Sequence, residues 1–147
     1  MKRFLMAFLA ITVLLLLAAC NTQATTTTDT STSTGQEATD VTGEWSGDWH
    51  RSDGGEEGTL SSTLTQSGSS LVGDMTFTST TFSYSQDTTI SGSVEGNDIV
   101  FGMAIGGEDD SIVTIDFEGT ISEDGNQMSG EYSMSTGYTG TWSVTKE

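Results

Sequence analysis

The stretch "VTGEWSGDWH", Val41 to His50, sets two tryptophans four residues apart with glycines between them. Alternation at period two puts Val41, Gly43, Trp45, Gly47 and Trp49 on one side, and Glu44, Asp48 and His50 on the other. One dry side and one wet side is the pattern of a half-buried β-strand.

The same texture continues to the end of the chain in short runs separated by Gly, Asn, Asp and Ser, with no proline and no stretch of helical period. It predicts eight strands: Thr42–His50, Thr59–Gln66, Ser70–Thr78, Thr88–Val94, Ile99–Ile105, Ser111–Ile121, Gln127–Met134 and Tyr138–Thr145. Between them lie turn sequences such as "SGSS" at Ser67, "EGND" at Glu95, "EDGN" at Glu123 and "STG" at Ser135. Phe82 and Tyr84 fall in the longest connection, where an extension of a neighbouring strand is the alternative reading.

Every strand has one dry face, so a single layer must cover itself. The expected fold is all-β, a single eight-stranded antiparallel up-and-down barrel. An apolar residue, any residue and then glycine recurs as "LVG" at Leu71, "ISG" at Ile90, "FEG" at Phe117, "MSG" at Met128 and "YTG" at Tyr138. These glycines share the dry face, where missing side chains permit the coiling a small barrel needs.

Ahead of the barrel, "MKRFLMAFLAITVLLLLAAC" has Lys2 and Arg3 before an apolar run that ends in small residues, the layout of a secretory signal peptide. Phe4 to Ala19 falls short of the roughly twenty apolar residues that a bilayer core asks for. Leu17-Ala18-Ala19-Cys20 resembles the lipobox of bacterial lipoproteins. That resemblance implies cleavage before Cys20, a diacylglyceryl thioether on its sulfur and an acyl chain such as palmitate on the new amino group. Two or more chains anchor a protein stably, so the expectation is an extracytoplasmic domain lipid-anchored to a bacterial membrane. Cys20 is the only cysteine, which rules out an intramolecular disulfide.

Residues 21–40, "NTQATTTTDTSTSTGQEATD", carry no aromatic residue and only two alanines as apolar content, the composition of a disordered stalk. The expected organisation is a signal peptide over 1–19, a lipidated Cys and linker over 20–40, and the barrel over 41–147. All 21 acidic residues lie after Cys20, and only Arg51 and Lys146 remain there as cations, so the mature charge is near −19. Such a surface repels phosphate backbones, and nucleic acid is not an expected partner.

Gly43-Glu44-Trp45 at the start of strand one, with eight short strands in sequence order, is similar to the calycin barrels, the lipocalins and avidins; "VTGEWSGDW" resembles the avidin first strand. The resemblance implies a barrel with a ligand cavity open at one end. Two departures stand beside it. Lipocalins place an arginine near the last strand against the G-x-W tryptophan, where this chain offers Lys146; avidins line their site with several tryptophans, and this chain has three in all.

Catalytic chemistry finds little support. His50, the single histidine, belongs by parity to the wet face, and no nucleophile motif accompanies it. No cofactor and no metal site is expected, and "DGGEEG", "GGEDD" and "EDGN" read as solvated hairpin tips. Alternate turns of a meander share an end, so Asp53–Gly58, Ser79–Asp87, Gly106–Asp110 and Ser135–Gly137 gather on one acidic rim with Glu56, Glu57, Glu108, Asp109 and Asp110. Candidate ligand-binding residues near that rim are Trp49, Phe77, Tyr84, Ile105, Met134 and Tyr138. They suit a neutral or cationic apolar small molecule, or Ca2+ bridging the rim carboxylates.

The readings are a binding module, a solid-core structural or protein-interaction part, and a carboxylate-dependent hydrolase that lacks paired acids facing a recognisable cleft. Trp45 and Trp142 are expected in the core at the seam of strands one and eight, with Trp45 toward a closed floor. Replacing the lipidation residue, Cys20→Ser, is expected to move the protein out of the membrane pellet on fractionation; retention in the pellet would dismiss the anchor.

Overall fold

A computed structural model describes residues 37–106 and 111–147. Cys20 and the signal, stalk and Glu108–Asp110 assignments lie outside them. The first strand, β1 (Gly43–Arg51), carries ladders on both edges, to β2 (Glu57–Ser67) from Gly43↔Leu64 to His50↔Glu57 and to β8 (Thr139–Lys146) from Trp45↔Lys146 to Arg51↔Gly140. That double pairing closes the sheet. With β3 (Ser70–Ser79), β4 (Tyr84–Glu95), β5 (Asp98–Gly106), β6 (Ile112–Ile121) and β7 (Gln127–Met134) between them, the strands form a closed antiparallel barrel in sequence order. The expected all-β, up-and-down, eight-stranded barrel is the fold.

Parity sorts the faces as the sequence does. Trp45, Trp49, Leu60, Leu71, Phe77, Ile99, Ile115 and Phe117 are buried to 1% exposure or less, while Glu44, Asp48, Thr63, Asp74, Glu118 and Glu131 face outward. A barrel that spans a bilayer carries its apolar band outside; this one carries it inside.

The middle of the barrel is filled with rings. Trp49 stacks on Phe77 at 4.5 Å, Phe101 stacks on Phe117 at 4.6 Å, and Trp142 meets Phe101 edge-on at 5.4 Å. Each indole N–H finds a backbone carbonyl: Trp45 donates to Val41 at 2.8 Å, Trp49 to Thr78 at 3.0 Å, and Trp142 to Glu131 at 3.1 Å. Two inward glycines make this possible. A Cβ on Gly58 would meet both the Thr78 carbonyl and the Trp49 indole nitrogen, and one on Gly130 would run into the Glu118 carbonyl and the Gly119 Cα. Gly130 is the register partner of Gly119, and the Trp142 ring lies against that pair.

One end is closed. Thr39 donates its N–H to the Gly96 carbonyl at 2.9 Å, Val41 donates to Gln66 Oε1 at 2.9 Å, and Val41 and Ala38 pack on the core. The barrel's contacts therefore begin at Ala38, three residues before the Val41 boundary expected from composition. Lys146 Nζ sits over the Trp45 ring at 5.5 Å on this same end.

One strand boundary needs correction. β4 starts at Tyr84, not Thr88, because Tyr84 to Asp87 pair with Ser79 to Thr76 of β3; a run of Ser, Gln, Asp and Thr hides its period two. Trp142 and Trp45 are buried at the seam as expected, Trp142 opposite Trp49 and Trp45 opposite Lys146. β8 runs from the open end to the floor, so its tryptophan meets the upper one of β1.

Gly130→Ala is expected to force β6 and β7 apart at their closest approach and to cost about 1–3 kcal/mol, the usual range for overpacking. Urea unfolding followed by tryptophan emission reads it, and an unchanged midpoint would count against the close-approach account.

Candidate functional site

The β1–β2, β3–β4, β5–β6 and β7–β8 connections all leave from the end opposite Val41. There a cleft of about 640 Å³ opens among Arg51, Glu56, Phe82, Tyr84, Gln86, Ile105, Gly106, Ser111, Val113, Met134, Thr136 and Tyr138. Of the six residues expected at a mouth, Tyr84, Ile105, Met134 and Tyr138 line it. Trp49 and Phe77 do not: Phe77 is fully buried 6.5 Å beneath Tyr84, and Trp49 is stacked on Phe77. They belong to the packed core below Tyr84.

Among the described residues, three of the five exposed large hydrophobics, Phe82, Ile112 and Tyr138, are at this end. Apolar surface gathered around one opening is the arrangement of an interaction site more than of scattered surface residues.

The polar part of the cleft hangs on Arg51, the residue after His50 and therefore inward by parity. Its side chain is 16% exposed, and its guanidinium is held in a fork by Asp53, with Nε to Oδ1 at 2.7 Å and Nη2 to Oδ2 at 3.0 Å. Its Nη1 reaches Glu56 Oε2 at 3.3 Å, and its plane lies 4.1 Å over the Tyr138 ring. Glu56 is folded in with it, its side chain 12% exposed. The loop expected as a solvated tip thus delivers a carboxylate into the mouth, because the Arg51 N–H donates to the Glu56 carbonyl at 2.9 Å and turns the loop back.

Two buried polar atoms make no hydrogen bond, Glu56 Oε1 and Tyr132 Oη. Burial pushes the Tyr84 and Tyr132 phenols up to about 12, with the Glu56 carboxylate as the next cause in both. Glu56 is thereby the charge that acts most strongly on both rings.

The wall beside the cleft is partly unzipped. The β4–β5 ladder runs only from Glu95↔Asp98 to Ile90↔Met103. Beyond it side chains take over: Thr88 Oγ1 donates to the Ala104 carbonyl at 2.8 Å, and the Gln86 amide both donates to the Gly106 carbonyl at 2.9 Å and accepts from its N–H at 3.0 Å. The strands part at the mouth, and Gln86 lines the gap.

His50 lies outside this site, exposed on the outer wall with Nδ1 3.3 Å from Glu57 Oε2. Among the described residues no three of His, Cys, Asp and Glu stand close enough to hold a metal ion. Sequence reading missed Arg51, Glu56, Phe82, Gln86, Val113 and Thr136 as lining residues. Continuing the alternation of β1 by one residue finds Arg51; nothing in "DGGEEG" marks Glu56 as the acid that turns inward.

No protein-family model and no curated protein sequence matches the chain. Solved structures do match its fold. A redesigned β-barrel, mFAP1, bound to DFHBI is similar with a TM-score of 0.61 at 12% identity, over 72% of this chain and 94% of that one. A de novo designed fluorescence-activating β-barrel gives 0.55 at 16% identity over 72% and 93%, and another redesigned β-barrel gives 0.59 at 14% identity over 76% and 96%.

The two raised phenols set a pH dependence. An unfolded tyrosine ionises near 10.0 and these two near 12, so between those values the unfolded chain has lost protons that the folded one keeps. Stability is then full below pH 10.0 and falls as pH rises toward 12. Alkaline titration of phenolate absorbance is expected to leave two phenols un-ionised at a pH of about 11 until the barrel unfolds; ionisation of all three tyrosines with the ordinary midpoint would contradict the burial account.

Proposed function

We propose that the protein is a membrane-tethered lipoprotein whose barrel binds a small molecule with an apolar body in the rim cleft. The carrying observation is the cleft itself, which joins apolar and aromatic walls from Phe82, Tyr84, Ile105 and Met134 to a buried carboxylate oxygen with no hydrogen bond. A few convergent polar groups in an apolar concavity are how small-molecule sites are built. The packed middle confines the ligand to the mouth.

Likeness of fold to a designed barrel that binds DFHBI supports the reading, since an eight-stranded barrel of this size can hold one small ligand. Lys146, which stands where lipocalins place an arginine, lies over the Trp45 ring of the G-x-W element at 5.5 Å. The lipobox-like Cys20 supports the tether. No catalytic step is assigned to the site. Of the rim carboxylates that could meet a calcium ion, Asp53 is already held by Arg51.

A second reading is a protein-interaction part that works through the rim, favoured by the exposure of Phe82 and Ile112 there. Tryptophan emission of the full-length protein, titrated with the neutral aromatic 2-phenylethanol, separates the two. The first reading expects a saturable change, carried from the cleft through Tyr84 and Phe77 to Trp49, and weakened roughly tenfold in Met134→Lys or Tyr138→Ala, which is what one buried apolar group contributes to affinity. The absence of any saturable change, with 2-phenylethanol and with calcium, would remove it in favour of the second.

A further inference from the structure

We propose that the rim cleft selects ligands carrying a protonated amine on an apolar body, with the Glu56 carboxylate as the group that pairs with the ammonium. This rests on the cleft being the ligand site, and adds the chemical class of what it takes.

The charge balance points there. After residue 20 the chain holds two cations, and one of them, Lys146, is spent at the closed end over Trp45. Arg51 alone serves the mouth, where it faces two carboxylates. Asp53 takes Nε and Nη2 in a bidentate pair, the stronger geometry. Glu56 is left with one contact of 3.3 Å through Oε2, while Oε1 is buried with no hydrogen bond of good geometry and only the neutral Tyr84 hydroxyl stands near the carboxylate. A carboxylate seldom stays so buried unless it is paired. The cluster is one positive charge short.

A hydroxyl donor would satisfy the open lone pair of Glu56 Oε1 but leave that charge uncompensated. A primary ammonium does both. The ring of Tyr84 lines the cleft beside Glu56, which suits a cation held against an aromatic face. Anionic ligands are disfavoured by the same surplus, although Arg51 is present, because its guanidinium is already engaged along its edge by Asp53 and Glu56 and on its face by Tyr138.

The test compares near-isosteric probes on the full-length protein by calorimetry and tryptophan emission: 2-phenylethylamine, 2-phenylethanol and 3-phenylpropionate. The amine is expected to bind at least tenfold more tightly than the alcohol, and the carboxylate more weakly than either. Glu56→Gln is expected to abolish the amine's advantage over the alcohol, both affinities being measured on the same variant. Raising the salt concentration should narrow the amine-to-alcohol ratio of the unsubstituted protein, a readout that does not depend on the variant folding. If alcohol and amine bind equally well, Glu56 Oε1 is satisfied by neutral donors and the inference falls while the ligand site stands. If none of the three saturates, the site itself is wrong and the inference goes with it.

Discussion

The barrel depends on large rings lying over inward glycines. A closed sheet of eight strands has little interior, and a side chain on each inward position would overfill it. Where Gly58 stands, the Trp49 indole passes to the Thr78 carbonyl; where Gly119 and Gly130 pair, Trp142 lies against them; where Gly140 stands, the Tyr132 ring is packed. Each absent side chain is matched by a ring from a neighbouring strand. The strands can coil closely because of the glycines, and the resulting gaps are closed by aromatic area that also supplies most of the dry contact.

From this follows where a ligand can go. The glycines alone suggest a hollow barrel and the count of bulky residues suggests a solid one. Both are true of different levels. The lower and middle levels are filled by Trp45, Trp142, Phe101, Phe117 and the Trp49–Phe77 stack, and the floor is sealed by the lead-in at Ala38 to Val41. Above Phe77 the inward residues thin to Tyr84, Gln86, Ile105 and Met134, and the β4–β5 ladder has ended. Space opens where the rings stop. The packed layers beneath hold the cleft residues in place, as a site on rigid elements requires.

Period two made much of this legible. β1 and β5 to β8 alternate cleanly between apolar and polar residues, so their inward faces could be read off, and one dry face per strand required closure. What alternation cannot carry is register between strands: it places Trp142 at the seam, and only the ladder sets it opposite Trp49. It also fails where both faces are polar, as from Tyr84 to Thr89, where only pairing with β3 defines the strand. The site divides in the same way. Tyr84, Ile105, Met134 and Tyr138 were found from position, whereas Glu56 depends on how a glycine-rich turn folds back through Arg51, a tertiary event with no local signature.

The two cations left after residue 20 show how so acidic a chain places scarce positive charge. Each lies over an aromatic ring, Lys146 on Trp45 at the floor and Arg51 on Tyr138 at the mouth, and neither is used to offset the carboxylates spread over the outer wall. Outer-wall charges repel one another through water and are screened by salt, so they need no partners. A carboxylate drawn inward loses that screening and needs one. Asp53 and Glu56 are the acids for which the guanidinium is reserved, and of the two it is Glu56, deeper and more loosely held, that gives the mouth its polar character. The distribution of two positive charges, more than the total of negative ones, therefore decides what chemistry this barrel can present.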